Sequence, residues 1–211
     1  MSPTVITKIV LAMFLWAACF PLITAGLQYA PHLTFATLRA VLAGAALVGL
    51  AMILRRPFPR GSRTWLTLGI VGIGATFLGF LGMFHAAEFV SPGLATVIAN
   101  AQPLLAAILG VSWLGERLPK VGWVGLSIGF MGILVIALPQ LLDGGQEGSA
   151  IGFAYIVLAA VGVTISNVAI KSIAGKVDGL FAMGLQLLIG SAPLAFAALA
   201  LEDQNAIQWN A

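Results

Sequence analysis

The chain has 211 residues, of which 60% are hydrophobic and only 8% are Asp, Glu, Lys or Arg. A soluble domain carries about 25% charged residues to hydrate its surface, so a soluble globule of this length is excluded. The net charge of +3 comes with no basic face and no aromatic platform, which excludes nucleic acid as a partner. In chain order, the first apolar run is Ile9 to Leu38, without a charge. The second, Leu33 to Leu54, holds Arg39 alone, and the third, Trp65 to Ala87, holds only His85. Phe89 to Gly115, Val121 to Leu142, Gly148 to Ile170 and Gly179 to Leu201 complete the set, all without charge. A helix needs about 20 apolar residues to cross a bilayer, and each run supplies them. Barrel strands would alternate over about ten residues; these runs are continuous. Helices also satisfy their own backbone hydrogen bonds in hydrocarbon. The sequence therefore predicts an all-α membrane protein, a polytopic bundle of about seven transmembrane helices in contact with lipid.

The connections are short, so the spans alternate in direction. Arg55, Arg56, Arg60 and Arg63 follow span two, Arg117 and Lys120 follow span four, and Lys171 and Lys176 follow span six. With Lys8, one side collects nine of the ten basic residues. The other collects Glu88, Asp143, Glu147, Glu202 and Asp203. Cytoplasmic loops carry the Lys/Arg excess, so the N-terminus is expected in the cytoplasm and the tail 202–211 outside. Cys19 is the single cysteine, which leaves no internal disulfide and no cysteine-based metal site. The stretch "LWAAC" faintly resembles a lipoprotein cleavage site, but the apolar run continues past Cys19, as a spanning helix does.

Polar groups inside spans are the candidate site residues, because they are costly in hydrocarbon. In the first span Pro21 frees the carbonyl of Ala17, and Trp16 lies deeper than an interfacial belt; it lines a cavity or merely packs. Arg39 stands about 9 Å deep at 1.5 Å per residue, and three readings compete. It binds an anionic substrate group, pairs with Glu88, or snorkels outward. His85 and Glu88 are three apart and neighbour each other, as an interfacial pair or as a proton relay. Phe77 and Phe84 share a face with Glu88, a stripe read as packing. Thr96, Asn100 and Pro103 share one face of span four, where Pro103 frees the carbonyl of Ala99. That face either binds a polar substrate or bonds a neighbouring helix. Thr164, Asn167 and Lys171 share a face of span six. In span five, Gly122, Gly125, Gly129 and Gly132 form a smooth stripe, assigned to helix packing.

A weak internal repeat is present. Laying Cys19 over Ser166 aligns Ile23 with Ile170, Leu33 with Leu180, Leu38 with Leu185, Ala45 with Ala192 and Leu47 with Leu194. Arg39 then falls opposite Gln186, which becomes a cavity candidate. A repeat of five helices reverses the second copy, the inverted-topology construction of many secondary transporters. The expected organisation is a first repeat over 1–142 and the first two helices of a second over 148–201.

The stretch "AAEFVSPGLATVIANAQPLLAAILGVSWLGERLPKVGWVGLSIGFMGILVI" resembles the fourth and fifth helices of EamA-type transporters, of the drug/metabolite transporter superfamily. The resemblance rests on the Ser-Pro-Gly entry, the small-residue helix broken by Pro103, the "GERL" end and the Gly-rich helix that follows. It implies ten helices in a 5+5 inverted repeat, of which this chain carries seven. The chain thus resembles a C-terminally truncated member. Such a chain is expected to be unstable as a monomer and to need its remainder or a second copy to close the cavity.

No His-Glu-xx-His zinc motif, Gly-x-Ser-x-Gly elbow or phosphate loop is present, so no enzyme, metal or cofactor is expected. Two functions stay open. One is a secondary transporter exporting small metabolites, such as amino acids or amphiphilic compounds, across the cytoplasmic membrane. The other is a non-transporting membrane component or assembly partner.

Overall fold

The structure is a computed structural model and describes residues 5–11, 14–15, 26–86, 102–115, 117–142 and 149–203. Among these the architecture is all-helical. Helix α1 covers residues 5–11 and α2 covers His32–Ile53. Helix α3 has three parts: an α-helical stretch Ser62–Val71, a π-helical stretch Gly72–Leu78, and a second α-helical stretch Gly79–Ala86. Then come α4 (Gln102–Leu114), α5 (Lys120–Leu142), α6 (Ser149–Ser172) and α7 (Gly179–Leu201). Among the described residues, four stretches are long and apolar enough to cross a membrane: His32–Ile53, Ser62–His85, Ile151–Ser172 and Gly179–Leu201. They coincide with the second, third, sixth and seventh runs read from the sequence.

The packing is that of a membrane bundle. The fully buried positions are largely small, among them Ala36, Ala40, Ala51, Ala159 and Ala160. Large apolar side chains point outward: Leu42 is 70% exposed, Ile53 79% and Phe196 76%. In water that arrangement would be inverted. In lipid, tails are as apolar as leucine, so helices associate through small residues that let backbones approach.

Helices α2 and α7 form the most extensive pair. Gly44 of α2 faces the carbonyl of Gly184 on α7, where an added Cβ would lie 3.0 Å away, and Gly184 faces the carbonyl of Gly44 in return at 3.1 Å. The start of α2 meets the end of α7 at Glu202, and the residues after α2 meet the start of α7 at Asp178. The pair is therefore antiparallel.

Helix α3 lies across α6 and α7. Gly74 abuts Gly162 and Ser166 of α6, Gly82 abuts Tyr155, and Gly190 of α7 abuts Gly72 and Thr76. The π-helical stretch lies at this crossing. Buried Ser166 donates toward its own helix at the Gly162 carbonyl, 2.8 Å away, and lies 3.3 Å from the Val71 carbonyl where the π stretch begins. A wider π turn disrupts the i→i−4 ladder, and a neighbouring hydroxyl beside the junction gives a displaced carbonyl a partner. Pro193 stands inside α7, where it cannot donate to the carbonyl of Ile189.

Candidate functional site

The polar side chains of the described residues gather where α2 begins and α3 and α7 end. Pro31 precedes α2 without capping it, so the first N–H groups of α2 need an acceptor from elsewhere. Glu202, just past α7, provides it. Its Oε1 accepts from the Leu33 N–H at 2.6 Å, and its Oε2 accepts from the Thr34 N–H and the Thr34 hydroxyl, both at 2.8 Å. A carboxylate at a helix N-terminus also meets the positive end of the helix dipole. The Glu202 side chain is only 5% exposed, so these bonds are sheltered from water.

The same carboxylate lies 3.4 Å from Nδ1 of His32. The other ring nitrogen of His32 lies 3.2 Å from Nδ1 of His85, with ring centroids 5.4 Å apart. Tyr155 of α6 meets the His85 ring edge-on at 4.8 Å. Four helices thus meet at one cluster. His85 was expected beside Glu88, which lies outside the described residues; the partner seen here is His32.

Arg39 lies two turns below His32 on α2 and is half-buried. Its guanidinium stacks over Phe80 at 4.6 Å and over Phe84 at 5.4 Å. Both distances are within cation–π range. The sequence places Phe84 in a packing stripe on the face of Glu88; it also forms part of the bed of the one charge expected inside the first five spans.

The remaining candidates scatter. Trp16, Thr96 and Asn100 lie outside the described residues. Pro103 stands one residue inside the described start of α4, and Ala99, whose carbonyl it was expected to free, lies outside. Asn167 is on an exposed face of α6, whereas Thr164 is fully buried and donates to the Ala160 carbonyl at 2.6 Å. These two are not brought together. Gln186 is half-buried and places Nε2 3.6 Å from the Met183 sulfur. In the glycine stripe of α5, Gly129 faces Leu104 of α4 and Gly122 faces Leu118, while Gly125 and Gly132 meet nothing within 4 Å among the described residues. No group of three or more His, Cys, Asp or Glu among the described residues is arranged to hold a metal.

Sequence reasoning passed over His32, Tyr155, Ser166 and the capping role of Glu202. His32 and His85 are 53 residues apart and Glu202 is 169 beyond Leu33, so no local spacing signals the cluster. One signal was available: a chain with only two histidines has both at span ends on the same side.

An apolar-faced helical bundle with small-residue crossings, a π turn where α3 meets α6 and polar groups buried between helices defines a polytopic membrane protein. Comparison with known proteins agrees. The family profile of the EamA-like transporters matches residues 4–138. The chain belongs to that family. It is 31% identical to the uncharacterized transporter YvbV of Bacillus subtilis, over 99% of this chain and 68% of that protein. It is also 31% identical to the uncharacterized transporter sll0355 of Synechocystis, over 90% of this chain and 62% of that one. A relative in Escherichia coli named as a probable amino-acid metabolite efflux pump is 30% identical over 77% of this chain and 52% of its own length. The chain thus spans about two-thirds or less of these relatives. A protein of known crystal structure shares the fold, with a TM-score of 0.63 at 23% identity, over 91% of this chain and 65% of that one.

Proposed function

We propose that this chain belongs to a secondary transporter that exports small metabolites, amino acids or amphiphilic compounds, across the cytoplasmic membrane. Membership of the EamA-like family carries the reading, and the efflux-pump relative supports the substrate class. Arg39, bedded on Phe80 and Phe84, is the group suited to a carboxylate, since a guanidinium forks to two oxygens. Asn100, Thr96, Asn167, Gln186 and Trp16 are the further substrate-facing candidates. The organisation proposed is two inverted repeats, with α2 and α7 as equivalent helices; their antiparallel pairing is what inversion requires. The Arg/Lys excess supports a cytoplasmic N-terminus. An impermeant thiol reagent should then fail to label a cysteine at position 60 in intact cells.

The test is flux in proteoliposomes holding the protein at the full length of its relatives, screened with radiolabelled amino acids. Saturable flux is expected, falling at least tenfold in Arg39→Ala and in Asn100→Ala with folding intact. Flux untouched by both substitutions would remove them from the site, and no flux for any amino acid or amphiphile would reject the substrate class.

A further inference from the structure

We infer that His32, His85 and Glu202 form a shared-proton site joining α2, α3 and α7, one that binds a single proton and releases it when these helices part. The 3.2 Å contact between His32 Nε2 and His85 Nδ1 needs one N–H between the two nitrogens, and only one. With both rings neutral, His85 donates to His32, and His32 turns its Nδ1–H toward Glu202. One proton can be added if the shared hydrogen crosses: the new proton lands on Nε2 of His85 while the hydrogen between the rings passes from His85 Nδ1 to His32 Nε2. His32 then carries both of its N–H groups, donating from Nε2 to His85 and facing the carboxylate with Nδ1, 3.4 Å away. A second proton, on His85, would set N–H against N–H and two cations in contact.

Charged and titratable neighbours surround the pair from each element packed against it. Glu202 is pinned as an acceptor by Leu33 and Thr34 of α2, so its charge stays beside His32. Arg39 stands two turns deeper on α2, on the same face, and adds positive charge. On α6 the facing titratable group is Tyr155. Beyond α7 it is Asp203, next to Glu202, while Glu88 lies outside the described residues.

The site is also a joint. His32 comes from α2, His85 from α3 and Glu202 from the end of α7. Moving α7 away removes the carboxylate from the imidazolium, and moving α3 away removes its acceptor. Either motion favours return of the proton to water. Opening of the bundle at this end is therefore linked to proton release. If the protein transports as proposed above, that linkage would make its cycle pH-dependent; this last step rests on that proposal and the proton count does not.

Because the chain has only two histidines, histidine labelled with nitrogen-15 reports this pair alone. Solid-state NMR of the labelled chain in lipid bilayers, titrated from about pH 8 to pH 5 around the ordinary histidine range, gives the number of protons bound. The expected result is one proton over both rings, half of what two independent imidazoles take up, with both ring signals moving together. In Glu202→Gln the His32 ring signals should shift, because the carboxylate 3.4 Å from its Nδ1 is gone. Two protons taken up independently would overturn the inference, whatever the flux assay gives. Unchanged His32 ring signals in Glu202→Gln would overturn the part assigned to that carboxylate.

Discussion

At one end of the α2–α7 pair, a carboxylate only 5% exposed accepts three hydrogen bonds from the first turn of α2. At the other end, Arg56 and Asp178 face each other at 3.8 Å with the arginine side chain 52% exposed. Both ends join the same helices through an acidic residue. Asp178 even caps its own helix as Glu202 caps its neighbour, accepting from the Leu180 N–H at 2.9 Å. The difference lies in water. Exposed ion pairs contribute about 0–1 kcal/mol and are screened by salt, whereas removing a sheltered acceptor leaves its donors unpaired. One end is a fixed joint and the other a loose one, so motion between α2 and α7 should begin at the arginine end.

That comparison can be broken or sharpened by four substitutions, read as stability in detergent micelles. The largest effect is expected between the two ends. Gly190→Leu drives a side chain into the backbone of Gly72 and against Thr76, and overpacking of this kind costs about 3 kcal/mol. Glu202→Ala should follow, at about 2 kcal/mol, because Leu33 and Thr34 lose their acceptor. Asp178→Ala removes a helix cap and should cost about 1 kcal/mol. Arg56→Ala should change stability by no more than about 0.5 kcal/mol. A loss in Arg56→Ala as large as that in Glu202→Ala would erase the distinction between the ends.

The spans were legible in the sequence because charge is excluded from hydrocarbon and the excluded runs are visible one by one. Which face of each span packs was not. A soluble helix advertises its buried face by apolar periodicity, but these helices are apolar all round, and that signal vanishes. The glycines illustrate the loss. The regular stripe Gly122, Gly125, Gly129 and Gly132 reads as a packing surface, yet only Gly129 of the four faces a neighbouring helix among the described residues. A close crossing is made by Gly72, Gly74 and Gly82 of α3, whose spacing marks no regular stripe. Arg39 and His85 were legible as costly groups, since each stands nearly alone in an apolar run. Their partners were not, because Phe80, His32 and Glu202 reach them through the bundle and not along the chain.

Salt separates the two ends most directly. Unfolding of the unsubstituted chain, Glu202→Ala and Arg56→Ala should be compared at about 0.05 M and about 0.5 M monovalent salt, a range over which screening of exposed charges changes strongly. The account predicts that the Glu202→Ala loss is the same at both concentrations, while any Arg56→Ala loss disappears at the higher one. A Glu202→Ala loss that fades with salt would contradict it, because the joint at the start of α2 would then be open to solvent like the other.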